Sequence, residues 1–469
     1  MGAGVFPWPD TWLRHARAES WAREGGAGHP VFEGRQLVNP LVSRLRGNDK
    51  IWRKHRRIVA ILLASFALVG LSHASAVAQV KVRVETISGS PVSGRFTRLT
   101  DSQIELRSES GTAQTIDLNN VLAVSATDFD GVSVPQISKT PWLFLSTGDR
   151  LRMTPLVIDD ESIMAKWHSF SLLPPVALPL ELCRGFLMTV PSSSSEQGRS
   201  FGRLLNHQEE VDLITLSNGD RIEGEFVSLQ DEHFTLDTSI GEVRTSVSQT
   251  RSLVFNPDLV SLPETPTVYS VLVLSDGSTL RLRSIISDGD LLIAESIGGF
   301  EFSIPATTLR AIHFYDAKRV DLTTLKPAET KVVSYLTMSR QPQANHNVIG
   351  GFLSLRDRLV SSGFGVTSGS TQTWQLDGEY KQFRATVGVD DAAQGAGSVF
   401  FQVVVDGAVA WRSDLITGAS DPVEIPPVDL TDADELSLVV EFADRGSVLD
   451  YANWCEPILI RSLPAGDSP

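Results

Sequence analysis

Apolar and polar residues alternate in four similar stretches of this chain, each running into a glycine turn and out again. They are Val84-Glu-Thr-Ile-Ser-Gly89-Ser, Leu143-Phe-Leu-Ser-Thr-Gly148-Asp, Leu213-Ile-Thr-Leu-Ser-Asn-Gly219-Asp and Leu272-Val-Leu-Ser-Asp-Gly277-Ser. A period of two puts successive side chains on opposite faces of a strand. Asn218-Gly219 and Asp276-Gly277 are two-residue hairpin signals, predicting type I′ turns with positive φ at both central positions. Downstream the period stays at two: Phe234-Thr-Leu236 leads to Gly241-Glu-Val243, and Leu291-Leu-Ile293 leads to Gly299-Phe-Glu-Phe302. Further apolar strands close the units, at Val121-Leu-Ala-Val124, Leu253-Val-Phe255 and Leu309-Arg-Ala-Ile312.

Roughly five short strands in about fifty residues predict a small closed β-barrel, since closure removes exposed edges. The pattern is similar to the Sm-like and Src-homology-three-like barrels, which implies adaptor or spacer modules with no chemistry fixed by the fold. The expected units are 79–135, 136–191, 209–260 and 267–318. The second diverges most, because Leu172-Leu-Pro-Pro175 and Pro179 interrupt its later strands. Residues 192–208, which open on four serines, read as a polar linker, and 316–331 as a second connection.

From 332 to 462 the texture changes to longer alternating strands, Val399-Phe-Phe-Gln-Val-Val-Val405 and Leu436-Ser-Leu-Val-Val-Glu-Phe442, with turns at Asp377-Gly378 and Asp406-Gly407. A jelly-roll β-sandwich is the natural closure. The expected fold class is therefore all-β, with tandem small β-barrels followed by a jelly-roll sandwich. In front, Arg53-Lys54-His55-Arg56-Arg57, the apolar run 58–71 and Ala76-Val77-Ala78 follow the order of a signal peptide over 51–78. Fourteen apolar residues span only about 21 Å as a helix, short of a hydrocarbon core of about 30 Å. Cleavage before Gln79 and export to the periplasm, cell surface or medium are expected, with no membrane partner afterwards. Residues 1–50 read as a mis-assigned upstream segment, expected to be disordered.

Charge narrows the partners. The 469 residues carry a net −15, but residues 1–57 hold 11 Lys/Arg against 5 Asp/Glu, leaving 30 against 51, or −21, on the rest. A body that acidic repels phosphate backbones, so nucleic acid is excluded as a partner. Two cysteines, Cys183 and Cys455, make neither a disulfide framework nor a metal knuckle. Beyond residue 78 the histidines are His168, His207, His233, His313 and His346, too scattered for a metal cluster. Asp128-Phe-Asp130-Gly131 lacks the later ligands of a calcium loop and reads as a turn. No nucleophile elbow, P-loop or zinc-protease motif occurs, so the chain is read as non-catalytic.

The C-terminal stretch carries a resemblance. Its blocks are Gly363-Phe-Gly365-Val, Trp374-Gln-Leu-Asp-Gly378-Glu-Tyr-Lys-Gln-Phe383, Ala385-Thr-Val-Gly388-Val-Asp-Asp391, Gly397-Ser-Val-Phe-Phe401 through Asp406-Gly407, Leu436-Ser-Leu-Val-Val440, and Asp450-Tyr-Ala-Asn-Trp454. In this order they resemble the NPCBM family of carbohydrate-binding modules. The resemblance implies a galactose-binding-like jelly roll that attaches to polysaccharide or cell-surface glycan, and sometimes a structural calcium ion, here near Asp390 and Asp391. The family usually has a histidine where Thr367 stands and another where Tyr451 stands, which puts its mode of sugar contact in doubt here. Sugar sites pair aromatic platforms with in-plane polar groups. The candidates of that composition are Trp411 with Arg412 and Asp414, and Asp450 and Tyr451 with Asn453. Trp454 is in phase with Ile458 and Ile460 and is expected in the core, as is Trp374. The rival readings are an envelope protein whose modules bind other proteins, and a divergent glycoside hydrolase or its accessory subunit.

Overall fold

A computed structural model describes residues 80–461, apart from 88–89, 128–139, 192, 336–339 and 445. The expected leader and upstream segment, Gly89 and the Asp128-Phe-Asp130-Gly131 turn lie outside the described residues. The fold is all-β, and one α-helix, Ser194–Leu205, is present among the described residues.

Each of the four repeats is the same antiparallel meander. The third, for example, runs Asp212–Leu216, Arg221–Gln230, His233–Thr238, Gly241–Ser246 and Thr250–Val254, with a 3-10 turn, Val247–Gln249, before the last strand. The fifth strand pairs with the first, the first with the second, and so on to the fourth. The long second strand bends at Gly224, where a Cβ would overlap the Asp237 carbonyl oxygen, and so serves two sheets. Closed barrels were the expectation. Among the described residues the fourth strand of each repeat registers only with its third, so the ladders leave each bent meander open between its fourth and fifth strands.

One edge of each meander, that of its fifth strand, is instead covered by another repeat. The fifth strand of the first repeat, Val121–Ala126, pairs with that of the fourth, Leu309–Tyr315. The fifth strand of the second, Cys183–Leu187, pairs in the same way with that of the third. Ends of second strands meet too, through Leu99 N–H to Ser287 Oγ at 2.7 Å and through the Ile158–Leu229 pair. The inner pair of repeats thus sits inside the outer pair in sequence, and an unpaired strand edge, the usual route to aggregation, is removed from each.

The glycine turns differ from the predicted type. In the hairpin at Asn218, Gly219 N–H donates to Leu216 O and Leu216 N–H to Asp220 O, and of the two turn residues only Gly219 has positive φ, +97°. The same bonds recur around Gly148 and Gly277. These are three-residue loops, a turn followed by one left-handed glycine, which Asn or Asp can precede without strain.

The polar linker expected at 192–208 is largely the helix Ser194–Leu205. Gln197, Phe201 and Leu204 fall on one face and are buried. Serines around its start favour a helix entry rather than a coil. Its Gly198 lies so close to the 349–350 backbone that a Cβ would overlap the Ile349 carbonyl oxygen.

The C-terminal unit is a two-sheet sandwich. One sheet is ordered Gln343–Ala344, Gly363–Thr367, Tyr451–Arg461, Tyr380–Val389 and Val423–Glu424; the other Glu329–Val332, Ser370–Gln375, Glu435–Phe442, Ser398–Val405 and Ala408–Arg412. It starts earlier than residue 332, because Arg319–Asp321 already pairs with the last strand. Phe383, Val387, Phe401, Leu438 and Trp454 fill the core, and Trp454 meets Phe401 edge-to-face at 5.1 Å. Trp454 is buried for a different reason from its supposed phase. Glu456 has φ +50° at a ladder irregularity, so Trp454 faces the sandwich core while Ile458 and Ile460 turn to Leu122 and Tyr315 of the repeats. The sandwich is therefore packed on the repeats at two places. The second is a cluster of Trp142, Phe144, Phe201, Leu213, Phe352 and Leu359, joining the inner repeats, the helix and the sandwich loop 345–362.

Candidate functional site

At one end of the sandwich a buried polar cluster ties the loop after the strand Tyr380–Val389 to the loop 345–362 and to the start of the strand Tyr451–Arg461. Asp390 ends the strand Tyr380–Val389 and is 1% exposed. Its carboxylate accepts four N–H bonds: Asn347 Nδ2 at 3.1 Å, Ala392 N at 2.9 Å, Ser354 N at 3.0 Å and Asn453 Nδ2 at 2.6 Å. Burial pushes its carboxyl up to about 6, against the pull of those donors. Asn347 spends its amide oxygen on Ile349 N and Gly351 N, shaping the loop that carries Phe352. Asp391 accepts Arg356 N at 2.8 Å and Asp357 N at 2.9 Å, holding a tight hairpin whose two central residues have φ of 52° and 60°.

The sequence-derived candidates fall into two groups. Asp450 is buried and accepts Ser398 N at 2.9 Å and Ser368 Oγ at 2.7 Å; burial raises its carboxyl pKa. Asn453 is 0% exposed, with its amide nitrogen on Asp390. Tyr451 between them is half-buried on the sandwich core. These three side chains hold the loop end together, and only Tyr451 reaches the surface.

Trp411 and Arg412 end the edge strand Ala408–Arg412, and Asp414 follows, exposed. Trp411 pairs with Val403 and packs half-buried along the sandwich margin. Arg412 lies on the outer face, its guanidinium carbon 4.3 Å above the Phe400 ring and its Nη2 2.9 Å from Glu441. Phe400 and Glu441 were not singled out from sequence, although Phe400 stands next to the core Phe401 in the same motif block. The two groups stand apart along the strand Ser398–Val405: Ser398 bonds Asp450 and pairs with Thr417, whereas Arg412 and Trp411 pair with Gln402 and Val403, about 14–17 Å farther along at about 3.4 Å per residue. What the Trp411 margin offers chemically is a stacked Arg–Phe surface, a half-buried Trp and an exposed carboxylate, with Tyr451 apart on the other sheet.

The calcium expected near Asp390 and Asp391 does not fit. Their oxygens face N–H donors, where a calcium site needs six to eight oxygen ligands around an open centre. Among the described residues, no group of three or more His, Cys, Asp or Glu is placed to hold a metal ion. Cys183 and Cys455 are both buried and free.

Comparisons with known proteins concern this same unit. No curated protein sequence matches the chain. Among solved structures, a CBM51 module from Clostridium perfringens GH95, in complex with methyl-galactose, is 22% identical and covers 30% of this chain and 99% of its own, with a TM-score of 0.28. CBM51-2 with the INT domains of C. perfringens ZmpB, in complex with GlcNAc, is 19% identical over 50% of this chain and 44% of that one, TM-score 0.28. The tandem CBM51 modules of Sp3GH98 from Streptococcus pneumoniae SP3-BS71 are 11% identical over 56% and 91%, TM-score 0.27. Residues 320–460, which span the sandwich from the strand at Arg319 to its last, match the NPCBM/NEW2 domain family.

Proposed function

We propose that this is an exported, non-catalytic protein that binds glycan through its C-terminal sandwich. The observation that carries the reading is the NPCBM/NEW2 match over 320–460, on a unit with its own buried hydrophobic core. The modules of GH95 and ZmpB, which were solved with methyl-galactose and GlcNAc, support it as a carbohydrate reading. Export is supported by the leader-like order of residues 51–78. The margin at Trp411, Arg412 and Asp414 is the surface we assign to sugar. An exposed site of this kind gains from stacking and a few hydrogen bonds, so weak affinity per site is expected, compensated by several copies on a surface.

The test is a glycan array and calorimetric titration of the whole chain alongside Trp411→Ala. Saturable binding that the variant loses supports the reading. Release of reducing ends from polysaccharide by the purified chain would overturn its non-catalytic part.

One observation favours a second reading. The loop 345–362 is sealed against the repeats by Phe352 and Leu359, which suits a sandwich retained as a packing partner in an envelope assembly. Under that reading no glycan binds, and Trp411→Ala is silent.

A further inference from the structure

The repeats are not a string that holds the sandwich at a distance, and the seam they form with it contains two adjoining hollows. One, of about 360 Å³, is lined by Tyr269 and Arg281 of the fourth repeat, by Asp316 and Arg319 of the connection, and by Thr324. The other, of about 410 Å³, lies on the open side of the sandwich and is lined by Phe364, Gln372, Thr330, Lys326 and the same Thr324. Both volumes fall within the ~300–1,000 Å³ of small-ligand sites. They have Thr324, at the end of the turn Leu322–Thr324, as a common lining residue.

We propose that these compartments are a second saccharide-binding groove that takes consecutive units of a neutral oligosaccharide, with Tyr269 as its platform. The proposal rests on the glycan reading above and extends it to residues outside the family-matched module.

Charge selects the ligand class. Arg281 is paired with Asp149 at 3.0 Å and Arg319 with Asp316 at 2.7 Å, and Asp321 adds a further buried carboxyl. Counting Lys326 of the second hollow, three acidic groups, Asp149, Asp316 and Asp321, stand against three basic ones, Arg281, Arg319 and Lys326, a balance without net charge that suits a neutral ligand. The platform is rigid: Tyr269 stacks on the buried Tyr315 with centroids 5.0 Å apart and planes at 16°. Burial raises the Tyr269 pKa to about 12, so its hydroxyl keeps its proton. Exposed hydroxyls line both hollows, Thr265 and Thr267 in the first and Thr330 in the second. Each is at once donor and acceptor, which a ring of sugar hydroxyls matches and an apolar ligand does not.

The experiment titrates the whole chain with xylo-, manno-, cello- and galacto-oligosaccharides of one to six units. Thr324→Trp crowds the wall common to both compartments, and Tyr269→Leu removes the aromatic platform while keeping an apolar side chain. Thr324→Ser keeps the hydroxyl that donates to Asp321 O and serves as the folding control. Affinity is expected to rise about tenfold or more from one unit to four. Thr324→Trp and Tyr269→Leu should abolish that rise while leaving single-unit binding within about twofold, and Thr324→Ser should preserve it. Length-independent affinity, or a rise that survives both variants, overturns the groove while leaving the module's own site intact. Absence of binding at every length overturns both.

Discussion

Replacing Phe352 by alanine removes the ring on which the helix, the second repeat and the sandwich loop converge. Its centroid lies 4.9 Å from Trp142 and 4.6 Å from Phe201, and the Arg150 guanidinium carbon stands 4.7 Å above it. The residue is 3% exposed, so the full cost of a buried Phe→Ala applies, about 3–5 kcal/mol. Within that, each aromatic pair contributes ~0.5–1.5 kcal/mol and the cation over the ring ~0.5–2 kcal/mol. Arg150 pushes the value upward. It is buried, its pKa is lowered to about 10 by burial, and beyond the ring its Nη2 has the Val360 carbonyl at 2.7 Å.

A loss of ~3 kcal/mol at about 1.4 kcal/mol per tenfold makes opening of the loop roughly 100-fold more frequent. Native-state hydrogen exchange reads this at the amides of Ile349, Gly351 and Val360, which bond to Asn347 Oδ1 and Leu353 O. Their exchange should accelerate by that order, while amides between the strands Ser370–Gln375 and Glu435–Phe442 hold steady. Phe352→Leu should fall between. Unchanged protection of the three loop amides in Phe352→Ala would refute the claim that this seam fastens the sandwich.

Three further outcomes are expected. Gly198→Ala should lower Tm even though alanine gains ~1 kcal/mol in helix propensity, because its Cβ meets the Ile349 carbonyl oxygen; a raised Tm would contradict that contact. Asp390, raised by burial to about 6, favours the folded state most below its unfolded pKa near 4, and that contribution is lost as pH rises through about 6. It amounts to roughly 3 kcal/mol by linkage, so urea midpoints should fall between pH 4.5 and 7, and this slope should flatten in Asp390→Asn; an identical slope in the variant would sink the assignment. A thiol reagent should find neither Cys183 nor Cys455 in the native protein and both after denaturation, since both are buried and free, whereas a disulfide would leave none reactive in either state.

Much of the architecture is legible in the chain because period-two alternation marks strands wherever one face is buried. It failed where a segment is covered on both sides. Residues 451–461 look like one alternating strand, yet the irregularity at Glu456 sends Trp454 to one core and Ile458 and Ile460 to another. The helix Ser194–Leu205 was obscured by its serines, and only Gln197, Phe201 and Leu204 betray its apolar face. Residues 319–321 are too short to show a pattern, and their strand is defined by its partner. Among the site candidates, composition alone does not separate a carboxylate that faces solvent, Asp414, from one that feeds on backbone donors, Asp450. Asn347 had a local signal, an Asn before paired glycines, which suits a side chain that bonds its own loop. The seam residues Tyr269 and Arg281 had none, because the groove exists only once the fourth repeat and the sandwich are packed together.

The central claim is that the sandwich margin holds sugar, and calorimetric titration of the whole chain with glycans, side by side with Trp411→Ala, tests it most directly. The account predicts saturable heat for at least one neutral glycan, with the variant's affinity reduced about tenfold or more, consistent with the loss of one stacking platform. Equal affinity in the two proteins, or no heat with any glycan while the fold stays intact, would contradict it.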